Sequence, residues 1–182
     1  MRSVLGYSQQ ECDMQVTTVE SIQALVKKLQ TKATVSTLDL SSTTEQTVPV
    51  VSSVDFNFGG FVLDTVQHTI TVPTTGYYTL SGNIALIKKS GTATNNNQNF
   101  FWQKKPAAST VWSKVGSHFQ SNFLRDASGH IEVSQSLSPY CTLLNAGDTL
   151  RLRTVQVAGS GGVVTLDPSC DSYLLIDKGL LI

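Results

Sequence analysis

The run Gly76-Tyr-Tyr-Thr-Leu80-Ser-Gly-Asn-Ile84-Ala-Leu86 decides the fold class. Tyr78, Leu80, Ile84 and Leu86 lie on one side of an extended backbone, whereas a helix would scatter them around its circumference. The same two-residue period recurs on either side. Ile70 and Val72 alternate with threonines, Ile131 and Val133 with Glu132 and Ser134, and Leu150 and Leu152 with Arg151 and Arg153, before Val155 and Val157. Many of these residues are β-branched or aromatic, as strands prefer. Breakers separate the runs: Pro73-Thr-Thr-Gly76, Ser90-Gly91, Asp126-Ala-Ser-Gly129, Asn145-Ala-Gly-Asp148 and Gly159-Ser-Gly-Gly162. Short strands with frequent turn signals and no helical periodicity predict a β-sandwich over residues 48–182.

The first part of the chain has a different rhythm. Val19, Ile22, Val26, Leu29 and Ala33 follow the 3-4 spacing of a coiled coil, with Val19, Val26 and Ala33 at a and Ile22 and Leu29 at d. Extended backwards, the seam meets Cys12 and Gln15 and weakens. Thr17 or Thr18 would cap the helix and Glu20 would sit in its first turn. A helix of about two heptads is marginal alone in water. The segment 1–35 is therefore read as a coiled-coil helix whose Val19, Ile22, Val26 and Leu29 hold copies of the chain together. An amphipathic helix packed on its own domain is the alternative. Residues 36–47, rich in Ser and Thr, read as a linker.

Within the β region, Phe58-Gly-Gly-Phe61 and Thr71-Val-Pro-Thr-Thr-Gly76-Tyr77-Tyr78-Thr-Leu80-Ser81-Gly82 resemble the globular heads of complement-type proteins and of the tumour-necrosis-factor (TNF) superfamily. Leu144-Asn-Ala-Gly147-Asp148-Thr-Leu150-Arg-Leu152 looks like the Leu-x-x-Gly-Asp-x-apolar-x-Leu element of those heads. Ser172-Tyr173-Leu174-Leu175-Ile176 matches their last strand loosely, with Leu174 where the family has Gly. The elements keep their order over residues 58–176, while 95–136 aligns with no motif. The resemblance implies a ten-strand jelly roll that associates as a threefold trimer. Independently, the oily sequence Leu174, Leu175, Ile176, Leu180, Leu181 and Ile182 must be covered, either by its own core or by neighbouring subunits.

Composition narrows the function. The chain has 182 residues, with thirteen Lys and Arg against thirteen Asp and Glu, so its formal net charge is zero. Nucleic-acid binding, which needs a surplus of cations facing phosphates, is not expected. Charged residues are only 14%, and 21 Ser with 21 Thr supply the polarity, which suits an exposed extracellular or particle surface more than a cytosolic enzyme. No apolar run reaches the ~18 residues of a membrane-spanning helix, so membrane insertion is not expected. The apolar run at the N-terminus stops after Leu5, which argues against a secretory signal. Cys12, Cys141 and Cys170 have no zinc spacing; a Cys141–Cys170 bridge stays open beside free buried thiols.

Catalytic patterns are absent from the sequence. His68, His118 and His130 lie in separate segments, Gly159-Ser-Gly-Gly162 is a glycine loop rather than a nucleophile elbow, and no phosphate loop is present. The acids form no calcium-loop pattern, although Asp167 and Asp171 could converge on a calcium ion. Trp102, Trp112, Phe100, Phe101 and Phe119, with the amides of residues 95–99, could form a contact surface; alternatively Trp112 and Phe119 sit in the core and 95–99 is an exposed loop. The expectation is a non-enzymatic trimer without cofactors: the head of a viral or phage fibre or spike, on a virion surface, attaching to a cell-surface receptor or glycan. A secreted complement-like or cytokine-like trimeric ligand is the alternative, and a jelly-roll carbohydrate-active enzyme a third reading.

Overall fold

The computed structural model describes residues 27–33, 39–90, 96–120, 124, 132–158 and 163–179. Among them are twelve strands and no helix: β1 (Lys27–Lys32), β2 (Gln46–Thr47), β3 (Ser53–Phe58), β4 (Val62–Asp64), β5 (Thr69–Thr71), β6 (Gly76–Ser90), β7 (Asn97–Lys105), β8 (Ser113–Gln120), β9 (Glu132–Leu144), β10 (Thr149–Ala158), β11 (Val163–Leu166) and β12 (Tyr173–Lys178). They form two antiparallel sheets, as a jelly-roll sandwich requires. The first runs β11-β6-β12-β1-β3, with β9 on the other side of β6; the second runs β4-β5-β10-β7-β8, with β2 beside β10.

The alternation read from the sequence decides what lies between the sheets. Tyr78, Leu80, Ile84 and Leu86 of β6 face Leu150 and Leu152 of β10 and Phe100 and Trp102 of β7 in one core cluster, all fully buried. The two motif turns meet at one end. Gly147 N–H donates to Val72 O and Val72 N–H to Asp148 O, both at 2.8 Å, while Ala146 N–H donates to Thr75 Oγ1 at 3.1 Å. Gly147 has φ +84°, the left-handed region where a side chain is strained. Asp148, almost fully buried, closes its own turn by accepting from Asn145 N–H at 2.9 Å and pairs with Lys104 at 3.5 Å. Midway along β6, Gly82 marks a register shift against β9, and a Cβ there would lie 2.4 Å from Tyr173 O.

The helix expected through Leu29 is not what forms. β1 lies in the first sheet, between β12 and β3, with Leu29 opposite Ile176 and Thr31 opposite Leu174. Leu29 and Thr31 are both fully buried. The inward row therefore has period two, and it was hidden because its second member is a threonine. β12 also decides the outcome: its outer edge carries N–H and C=O groups that a strand satisfies and a helix cannot. Ala33, the last residue of the expected seam, follows β1, packs against the core and donates its N–H to Ser172 O at 2.9 Å, while Val19, Ile22 and Val26 lie outside the described residues. Strand structure thus begins by Lys27. From Asp39 the expected tether lies along the sandwich: Leu40 is buried, its N–H donating to Val164 O at 2.7 Å, and Gln46 and Thr47 pair with β10.

The C-terminal strand is covered from within, since Leu174 and Ile176 are fully buried in the core; Leu180, Leu181 and Ile182 lie outside the described residues. Leu29→Ala should lower the unfolding free energy by about 2–5 kcal/mol in denaturant titration, because it opens a cavity against Ile176. A helix free of the domain would leave that value unchanged.

Candidate interaction face

Strand alternation gives the first sheet a second, outward row. The register places Tyr77 beside Leu143 and Thr79 beside Cys141 across β6 and β9, and Leu175 beside Ser81 and Tyr173 beside Asn83 across β6 and β12. Through β1 the row continues to β3, where Lys28 stands beside Phe58 and Gln30 beside Phe56. Directly paired residues point to the same side of a sheet, so these side chains form one face. Phe58 is 64% exposed, Tyr77 47% and Leu143 46%, and the Phe56 and Phe58 rings lie 5.8 Å apart.

Such a face is costly to leave in water. Apolar burial stabilises by roughly 25 cal/mol per Å², and contiguous apolar patches on otherwise polar proteins mark association sites. Lys28 pairs with Asp177 at 3.4 Å and Lys32 with Asp171 at 2.8 Å, while Asp55, which accepts from Gln30 Nε2 at 2.8 Å, and Glu132, opposite Ile87, add negative charge on the same side. The hydrogen bond that Lys32 donates to Asp171, and then the charge of Asp171, raise the Lys32 pKa. These exposed pairs contribute little stability.

In the sequence Phe58 and Tyr77 stand out only as parts of the motif elements, and Leu143 not at all. A signal existed. Tyr77-Tyr78, Leu143-Leu144 and Leu174-Leu175-Ile176 place apolar residues at consecutive strand positions, so both faces of the sheet are oily there, as in strands covered on both sides.

The other candidates disperse. Cys141 on this face and Cys170 in a loop are both free and exposed, so neither the bridge nor buried thiols describe them. His68 contacts Val51 O at 3.2 Å, His118 packs against Phe101 at 5.1 Å, and His130 lies outside the described residues, as do Gly159 to Gly162. Asp167 and Asp171 line one cavity of about 240 Å³, but Asp167 accepts from Ser169 N–H at 2.8 Å and Asp171 is held by Lys32. Among the described residues no three His, Cys, Asp or Glu side chains gather to hold a metal.

The aromatic segment also divides. Trp102 is in the core, not Trp112, while Phe119 packs against the core. Asn96 and Gln98 are buried rather than looped out, with Gln98 Nε2 donating to Asn96 Oδ1 at 2.7 Å.

No protein-family model matches this chain, and no curated protein matches it. Solved structures do. Eiger TNF from S. frugiperda is 13% identical with a TM-score of 0.54, covering 85% of this chain and 92% of its own. Murine APRIL is 13% identical with a TM-score of 0.56, covering 85% and 99%. Identity this low speaks for the fold alone: the sandwich is a TNF-like jelly roll.

Proposed function

We propose that the protein is an extracellular, non-enzymatic homotrimeric ligand, which joins its copies through the first sheet and engages a cell-surface receptor with the surfaces left outside. The carrying observation is the apolar outward row Phe58, Tyr77, Leu143 and Leu175 on a domain already complete in its own core. The occupant is a second copy of this chain. Phe58, Tyr77 and Leu143 stand about half or more exposed on the single subunit, and the resemblance of the Pro73–Tyr78 and Leu144–Leu152 elements to TNF-type heads implies threefold assembly. A head-to-tail contact repeated around a threefold axis closes after three subunits and leaves no open end. Three-point presentation then gives a weakly binding site useful avidity.

The likeness to Eiger TNF favours the cytokine-like ligand over the fibre head, whose support is the polar, weakly charged composition. With Leu29 in β1, a helical neck would have to be formed by residues before Lys27.

Light scattering at micromolar concentration should give about three times the 19.6 kDa of the chain. A monomer there removes the assembly and with it this reading. Tyr77→Asp combined with Leu143→Asp should dissociate the trimer while keeping the β-type circular dichroism, because each side chain is about half exposed in the single subunit and contributes ~1–3 kcal/mol only on burial. Thiol labelling gives an independent check. In the assembled protein Cys141 should react slowly and Cys170 fast, whereas the double variant should label both at similar rates.

A further inference from the structure

The second sheet turns a different chemistry outward. Beside the core row of Leu150, Leu152, Phe100 and Trp102, the intervening residues place Arg151 next to Gln103 and Arg153 next to Phe101 across β10 and β7, and β8 adds Lys114 next to Gln103. Aromatic rings organise these cations. The Arg151 guanidinium lies 3.9 Å and Lys105 Nζ 5.4 Å from the Trp112 ring centroid, and Lys114 Nζ lies 4.2 Å from that of Phe101. In a chain of zero formal net charge, four cations thus share one patch.

Their compensation is incomplete. Glu45 is the carboxylate among them, and it is already engaged: Lys114 lies at 3.3 Å, Arg153 at 4.0 Å, and Gln103 Nε2 donates to it at 3.1 Å. Among the described residues neither Arg151 nor Lys105 has a carboxylate within ion-pair distance. Neutral partners hold the guanidinium groups, Arg151 Nε donating to Gln103 Oε1 at 2.9 Å and Arg153 to Thr47 Oγ1 at 3.0 Å and to the Glu45 carbonyl, while Arg153 Nε is buried with no hydrogen-bond partner. Burial, and then the charge of Arg153, lower Arg151 to about 10. Like charges are therefore held together by packing, at a cost that an incoming anion would offset.

We infer that the Lys105, Lys114, Arg151 and Arg153 patch binds the sulfate groups of an acidic polysaccharide. Neighbouring strands lie ~4.8 Å apart and alternate residues along a strand ~6.8 Å apart, so the cations form a grid that suits an anionic group repeating along a chain. Guanidinium groups pair bidentately with oxyanions and lose little hydration on doing so. An acidic peptide fits less well, because extended peptides usually dock by adding a strand to a free sheet edge. Here Arg151, Arg153 and Lys105 stand on inner strands, β10 between β7 and the β5 and β2 strands and β7 between β10 and β8, and only Lys114 of the four stands on the end strand β8. The inference is independent of self-association, which uses the opposite sheet.

The test uses the full chain and immobilised heparin as the sulfated probe. The protein should be retained at about 0.15 M salt and elute as salt screens the patch. Arg151→Gln and Lys105→Gln should each weaken binding about tenfold, the loss of one charge-assisted contact. Lys27→Gln, the same charge change on the first sheet, should not. Passage through the column unretained, or an equal loss for Lys27→Gln, overturns the site. Equal affinity for polyglutamate, or undiminished affinity for desulfated heparin, overturns the assignment to sulfate. Thermal melting of each variant confirms folding, and Lys105→Gln carries the test should Arg151→Gln fail to fold. Were the protein monomeric, avidity would fall for every variant alike, leaving the contrast with Lys27→Gln readable.

Discussion

Strand β6 carries a polar backbone of fifteen residues through the middle of the molecule, and every peptide group in it must find a partner out of reach of water. β9 answers along one side for nearly the whole length, from Leu144 opposite Gly76 to Glu132 opposite Ile87. On the other side β12 covers Tyr78 to Asn83, and β11 takes over from Leu86. With β6 satisfied, β12 is left with its own outer edge open, and β1 fills it. The position of Leu29 follows from that demand more than from its local sequence.

Closure of the sandwich depends on a smaller junction. The turn before β6 and the turn between β9 and β10 are far apart in sequence, but Val72, Thr75, Ala146, Gly147 and Asp148 bond them together. That junction ties the two sheets at one end, and it needs both Gly147 in its left-handed conformation and a carboxylate at Asp148. The Pro-x-x-Gly and Gly-Asp elements therefore work as one structural unit.

The two outward faces then diverge. On the first sheet Phe58, Tyr77 and Leu143 stand exposed among polar residues, which suits packing against neighbouring subunits. On the second the face is cationic and organised by Trp112 and Phe101, with Glu45 as a shared counter-charge. A chain of zero net charge has kept these two characters on opposite sides of one core.

Period-two alternation in 70–72, 76–86 and 150–157 was enough to establish an all-β sandwich, and the order of the three motif elements was enough to suggest its jelly-roll form, because alternation and turn chemistry are local properties. The seam through Leu29 was misread because a polar threonine, Thr31, occupies an inward position. Burial of a threonine is decided by the strand beside it and not by its hydropathy. Likewise, the interaction face was visible only as doubled apolar residues such as Tyr77-Tyr78. Which of each pair turns outward, and that Phe58, Leu143 and Leu175 from three other strands join Tyr77, depends on cross-strand register. Register is set by long-range backbone pairing, so it exists only once the tertiary structure has formed.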